Sequence, residues 1–254
     1  MRKALAALAL VVTLAALTAG SAAAADRTAS GLVYRYYAPY GYRFQPLLSF
    51  GHLNRAVSDH NPVAARRLAS ALLARGTRRD GALYWDYDFS FGGGPSRWSS
   101  GFTQVVAAQA LARAGVLLRD PSLESAADAA FRALAHGLLL HVRGGIWIRE
   151  YGYTQQVILN AQLQSVLAAE SYASIAQTPE SRHVAVALER AARTLLPQFD
   201  LGCWGRYQLG GLAADAHYEA YHVELLRRLA ASHDEPIWRN TYTRWSRCVH
   251  RVAP

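Results

Sequence analysis

Lysine is all but missing: among 27 Lys+Arg residues the sole lysine is Lys3, so every other cation is an arginine. Cysteine is almost as scarce. Cys203 and Cys248 stand alone, and neither has the spacing of a zinc site or of a catalytic nucleophile. Charged residues make up only 18% of the chain, too few for a disordered protein, and 52% of its 254 residues are hydrophobic, enough for one substantial core. No glycine-rich phosphate loop follows a strand pattern, which argues against a nucleotide cofactor. His217 and His222 are five apart, not the three or four that align two ligands on a helix, so neither a metal nor any other cofactor is expected. No basic run exceeds two residues and no recognition motif appears, so nucleic acid is disfavoured as a partner.

What is present begins with a leader. Arg2-Lys3 precede the apolar run Ala4–Leu17, and Ala23-Ala24-Ala25 ahead of Asp26 offers small residues to a signal peptidase. The expectation is a secretory signal over residues 1–25 cut after Ala25, an extracellular protein, and no membrane association once it is cut. The cut would leave 25 arginines against 18 acids. In an oxidising compartment Cys203 and Cys248 would pair as a disulfide. Arginine binds carboxylate, sulfate or phosphate through a planar fork that lysine lacks, which suggests an acidic glycan as partner. Codon bias combined with solubility explains the composition equally well.

Four helix-start signals recur: Asn61-Pro62, Asp120-Pro121, Thr178-Pro179 and Glu235-Pro236, with prolines 59, 58 and 57 residues apart. The first three pair a capping side chain with proline at the first helical position. Each interval holds two helical patterns: Pro62–Arg75 and Ser99–Leu118, Pro121–His141 and Gln155–Ala176, Pro179–Leu196 and Ala213–Ala231. A last helix starts near Pro236. This predicts an all-α fold, an incomplete α/α toroid of about four helix hairpins over residues 61–254, with short β-hairpin loops at one end. Residues 26–60 read as an extended, aromatic segment packed on it. Long links carry a repeated glycine and aromatic cluster: Gly81 to Tyr84-Trp85, Gly144-Gly145-Ile146-Trp147, and Gly202-Cys203-Trp204-Gly205. Loops of that length in a compact domain are usually functional. Their tryptophans either stack on sugar rings or plug the end of the toroid.

On the helix after the third link, Tyr218, Tyr221, His222, Leu225 and Leu229 form one stripe, polar and aromatic at the loop end and apolar beyond it. That pattern reads as a cavity wall above and core below. Tyr207 and the Glu150-Tyr151 pair could face the same cavity; buried tyrosines also often serve only to satisfy a hydrogen bond.

Several stretches, taken in order, resemble the C-terminal domain of the D-glucuronyl C5-epimerases: Trp98-Ser99-Ser100-Gly101-Phe102-Thr103-Gln104, Arg149-Glu150-Tyr151 with Leu159-Asn160, Tyr207-Gln208-Leu209, Tyr218 with His222, and Arg244-Trp245. Tyr34–Asn54, with Phe44-Gln45-Pro46-Leu47, is similar to the segment that precedes this domain in bacterial relatives. The resemblance implies a helical toroid whose cleft holds a uronic-acid polymer, and inversion of D-glucuronate to L-iduronate within the chain. It also implies catalytic roles for Glu150, Tyr151, Tyr207 and Tyr218. Substrate contacts would come from Asn160, His222, Arg149, Arg206, Trp98, Gln104, Trp147 and Tyr221. A homodimer is compatible with the family. One departure is plain: the family's Tyr-Asp-Leu-Arg-His is here Tyr207-Gln208-Leu209-Gly210-Gly211, which lacks the arginine expected to hold the substrate carboxylate.

Epimerisation needs a proton-transfer group on each side of the sugar ring, plus donors or cations to hold the enediolate. Tyrosine titrates near 10, so a phenolate base at neutral pH needs roughly three units of depression. Arg149 and Arg206 are its nearest candidate sources in sequence. A polysaccharide lyase shares the proton abstraction, and a non-catalytic acidic-glycan binder shares the cleft. A glycoside hydrolase would need two facing carboxylates, for which Asp86, Asp88 and Glu150 are the candidates.

Overall fold

A computed structural model describes residues 26–252; the expected signal segment and its cleavage after Ala25 lie outside the described residues. The chain opens with an antiparallel sheet, β1 (Arg27–Ala29), β2 (Leu32–Tyr37) and β3 (Gly41–Phe44). Helices α1 (Pro46–Ser58) and α2 (Pro62–Arg75) follow, then the hairpin β4 (Thr77–Arg79) and β5 (Ala82–Tyr84). Next come α3 (Gly101–Leu118) and α4 (Pro121–Arg132), with one 3-10 turn, and the hairpin β6 (Leu139–Val142) and β7 (Gly145–Ile148). The remaining helices are α5 (Leu159–Ala176), α6 (Pro179–Phe199), α7 (Ala216–Ser232) and α8 (Pro236–Val252).

The odd-numbered helices pack side by side as an inner row, α1 on α3, α3 on α5 and α5 on α7, and each even-numbered helix backs its predecessor. Sequence explains the split. Helices α3 and α5 are apolar nearly all round and buried on most faces, while α4 and α6 carry an apolar stripe opposite a charged one. Helix α3 is long and apolar enough to cross a membrane, but here it is an inner helix of the array. The outer helices are those that begin at the repeated prolines. Asn61, Asp120 and Thr178 each accept a hydrogen bond from a backbone N–H of the first turn, as capping residues do.

Every inner helix is preceded by a long non-helical segment, so these four segments gather where the inner helices begin. Each is tethered through the fourth residue of the helix that follows. Ser49 Oγ accepts from Val33 N at 2.9 Å. Gln104 accepts from Trp85 N at 3.3 Å and donates to the Leu83 carbonyl at 2.7 Å. Gln162 accepts from Ile148 N at 2.8 Å and donates to the carbonyls of Ile146 at 3.1 Å and Leu188 at 2.8 Å. Glu219 accepts from Gly205 N at 3.0 Å. All four side chains are fully buried.

Three sequence expectations need correction. The segment 26–60 is not extended throughout: Pro46–Ser58 is a helix, and it is the first inner helix, so the hairpins pair α1 with α2, α3 with α4, α5 with α6 and α7 with α8. The pattern Pro121–His141 does not stay helical, because the chain turns at Gly137, φ +77°, and enters β6. The apolar spacing of Leu138, Leu140 and Val142 fits a strand as readily as a helix. Trp147 lines no cleft: it is fully buried, stacked on Phe199 at 5.6 Å, with its indole N–H on the Ile158 carbonyl.

Candidate active site

The second and third long loops are stitched together at the start of α5. Leu159 N donates to the Tyr207 carbonyl at 3.0 Å, Leu209 N donates to the Val157 carbonyl at 2.9 Å, and Ile158 and Gln208 pair as a bridge. This carries Tyr207 to the Glu150-Tyr151 turn. Tyr218 arrives on the first turn of α7, whose cap Asp215 accepts from Tyr218 N at 2.8 Å, and its ring meets Tyr207 edge-on at 4.6 Å. Tyr151 is set from its other side, stacked on Phe91 at 5.5 Å and tilted against Trp98 at 5.5 Å. Gly152 N donates to the Ser99 carbonyl at 2.9 Å, and a side chain at Gly152 would lie 2.6 Å from that oxygen, so the turn after Tyr151 is pressed against the first long loop.

Glu150, Tyr151, Tyr207 and Tyr218 therefore form one interacting group drawn from two loops and a helix start. Burial raises the Glu150 carboxyl from its ordinary 4.5 to about 7, and hydrogen bonding with Tyr151 only partly offsets the rise. Burial also raises all three phenols, and the nearby Glu150 charge adds to it. The depression that a phenolate base would need is thus not supplied by these surroundings. The arginines cited for it bind backbone instead: Arg149 Nη1 donates to the Gly152 carbonyl at 3.1 Å, and Arg206 Nη1 donates to that of Gly211. At neutral pH the tyrosines are protonated donors, and the carboxylate is the group poised near neutrality.

Three polar atoms around this group are buried without a partner: Glu150 Oε2, Asn160 Oδ1 and Arg149 Nε. Leaving such atoms unpaired costs on the order of 1–3 kcal/mol each, a cost that ordered water or a polar ligand relieves. Asn160 is the second residue of α5, where the helix end is positive and Ile158 offers no side-chain cap.

The other expected contacts divide. Tyr221 is half-buried on α7, its hydroxyl facing Gln164 Oε1 at 3.4 Å, and burial raises it to about 12. His222 faces Trp245, with ring centroids 6.2 Å apart. It is fully buried, with Nδ1 at 3.3 Å from Glu219 Oε2, and so belongs to the tether of the third loop. Gln104 is the tether of the first loop rather than a substrate contact. Trp98 stacks on Tyr87 at 4.1 Å with its N–H on the Phe89 carbonyl, leaving it to support Tyr151 from behind. Cys203 and Cys248 are bonded, joining the third loop to α8.

Sequence reading missed Phe91, Tyr153 and Tyr37. Tyr153 lies 6.0 Å from Tyr151, with its hydroxyl donating to the Phe91 carbonyl at 2.5 Å. Tyr37 stacks on Phe89 at 4.3 Å. Their signal was faint: one more tyrosine two places after Tyr151, and an alternating strand far upstream. Asp86 is consumed as an acid, because Arg79, Arg97 and Ser99 all bond to its buried carboxylate. Away from the site, Glu189, His233 and Glu235 bring ligand atoms within 4.8 Å of one another, but Arg193 already bonds Glu189 at 3.0 Å.

Comparison with known proteins bears on the fold and on the family. A family 8 endoglucanase, Cel10, from Klebsiella pneumoniae superposes with a TM-score of 0.57 at 14% identity, covering 80% of this chain and 69% of its own. An endo-beta-1,4-glucanase, CMCax, from Acetobacter xylinum gives 0.55 at 11% identity, with 80% and 72% covered. An endoglucanase from Komagataeibacter sucrofermentans gives 0.54 at 10%, with 78% and 70% covered. At such identities the likeness establishes the α/α toroid and nothing about substrate. A search of curated protein sequences finds no match. The family model for the D-glucuronyl C5-epimerase C-terminus matches residues 79–247, a span that includes every member of the buried phenol and carboxylate group, and the chain belongs to that family.

Proposed function

We propose that the protein is an exported C5-epimerase of a uronic-acid polysaccharide, converting D-glucuronate residues to L-iduronate within the polymer. The observation that carries this reading is the meeting of Glu150, Tyr151, Tyr207 and Tyr218 in one buried group, where burial pushes the carboxyl up to about 7 and raises the phenols above their ordinary 10. An ionised carboxylate of that basicity suits removal of the C5 proton, and a neutral phenol suits its return from the other face. In this mechanism Glu150, directly or through Tyr151, takes the proton as the C5 electrons move into the sugar's carboxylate to form an enediolate. A phenol of the Tyr207–Tyr218 pair then reprotonates C5 and draws its own proton back through the group. The start of α5, with Asn160, offers donors and positive potential to the developing anion. Heparosan-like glycosaminoglycans, which carry glucuronate in every disaccharide, are the substrate class to try first.

Hydrolysis, the activity named for the structural neighbours, finds little support here. It needs a second carboxylate facing Glu150, whereas Asp86 is held by two arginines and Asp88 leans on Arg43 at 3.8 Å. The test is incubation of the protein with glucuronate polymers in heavy water. The expected result is deuterium at C5 with chain length unchanged. New absorbance from unsaturated ends would instead identify a lyase, and no exchange on any glucuronate polymer would overturn the proposal.

A further inference from the structure

Strand β2 presents Arg35 and Tyr37 on one face, since alternate strand residues share a side. Tyr37 stacks on Phe89 at 4.3 Å and meets Phe91 edge-on at 6.4 Å, and Phe91 in turn stacks on Tyr151 at 5.5 Å. The face carrying Arg35 is therefore turned toward the phenol group, and its positive charge is felt at the Tyr218 hydroxyl, where it opposes the effect of burial. Directly across the strand pair stands Arg43, whose buried Nε has no hydrogen-bond partner. Two like charges opposite one another repel, and an anion beside them relieves that repulsion.

Two anions are already there: Asp88 lies 3.8 Å from Arg43, and Asp26 sits on Arg35. Arg35 Nε and Nη2 hold Asp26 Oδ1 and Oδ2 at 2.9 and 2.8 Å, a two-pronged carboxylate grip with the two side chains 47% and 34% exposed. Asp26 adjoins β1, a three-residue edge strand that is exposed along its whole length. Arg149 and Arg206, by contrast, have guanidinium N–H groups bonded to backbone carbonyls in their own loops.

We propose that Arg35 receives the uronate carboxylate of the polymer, and that Asp26 is its stand-in, displaced when the sugar enters. The exchange is one carboxylate for another on the same planar fork, so the guanidinium keeps an anionic partner while the displaced Asp26, beside an exposed strand, passes to solvent. It gives the enediolate a cation that the loop from Tyr207 to Gly211 does not provide. This assignment rests on the uronate reading above.

The test uses the full chain and two probes, a glucuronate-containing oligosaccharide and the same oligosaccharide with its carboxylates reduced to alcohols. Dissociation constants come from calorimetry, and KM and kcat from deuterium uptake at C5. Removing the competitor with D26N is expected to tighten binding of the acidic probe and lower KM by on the order of fivefold, about the most an exposed ion pair opposes. The reduced probe is expected to be indifferent. R35A is expected to weaken the acidic probe about tenfold or more, R35K to recover only part of the loss, and R35A/D26N to lose the gain of D26N. Acidic-probe binding that ignores both D26N and R35A, with exchange intact, overturns the role of Arg35 and leaves the epimerase reading standing. The expected binding pattern without isotope exchange does the reverse. A wild-type protein that binds neither probe overturns both.

Discussion

Glu150 is the residue on which the chemistry turns, because its carboxyl is the one whose burial places it near neutrality. If it serves as the base, activity should rise with pH through about 7, and E150Q should lower kcat by roughly 100- to 10,000-fold and remove that limb of the profile. The same shift predicts a stability effect of definite sign. The folded state holds the Glu150 proton up to about pH 7 while the unfolded chain releases it near 4.5, so stability falls as pH rises through that window and the difference persists above it. E150Q should therefore be more stable than the wild type at pH 8, by up to about 3 kcal/mol, and no more stable at pH 4, as denaturant titration would reveal. A wild-type advantage at pH 8 would contradict the buried, raised carboxyl. At this scale the sequence was partly legible. Glu150, Tyr151, Tyr207 and Tyr218 were identifiable from motif order, but the sign of their titration shifts was not. Sequence neighbours such as Arg206 suggest a cation at hand, whereas the fold turns that guanidinium to the Gly211 carbonyl.

Helices and loops obey different rules, and the tether at the fourth residue of each inner helix is where they meet. Q162L would leave the Ile148 N–H and the Ile146 carbonyl unpaired in the interior and remove the second donor to the Leu188 carbonyl. It should cost on the order of 2–4 kcal/mol and loosen the β6–β7 hairpin, read as lost hydrogen-exchange protection there. The α7 cap couples stability to chemistry, because Asp215 holds the turn that carries Tyr218. D215A should cost about 1 kcal/mol and lower the proposed C5 isotope exchange more than the equivalent N61A change on α2, which lies outside the site. The helices themselves were legible in their capping residues and prolines. Helix α1 escaped because Gln45 ahead of Pro46 supplies no side-chain cap, and the stretch before it is rich in strand-forming tyrosine. The true partner of each proline helix was likewise hidden, since even spacing says how often a unit repeats but not where it begins.

Over the whole molecule, the array is an arc whose end helices are α1 and α7, and the disulfide from Cys203 to Cys248 ties the last hairpin to the loop carrying Tyr207. Closing that 45-residue loop should contribute about 4 kcal/mol by constraining the unfolded chain. Reduction, or C203S/C248S, should lower the melting temperature by on the order of 10 °C in calorimetry, with activity falling before global unfolding. The site as an assembly was the least legible feature. Three of its members come from loops between 150 and 207, and their meeting depends on backbone bridges such as Ile158 with Gln208, to which any side chains can contribute.

Hooking each loop onto a buried side chain at one level has an evolutionary corollary. At that level the scaffold asks of an insert that it offer a backbone amide to the waiting hook. Between its points of suspension an insert can lengthen, shed an arginine or acquire a tyrosine without unsettling the helices beneath. Substrate preference can then drift one cassette at a time.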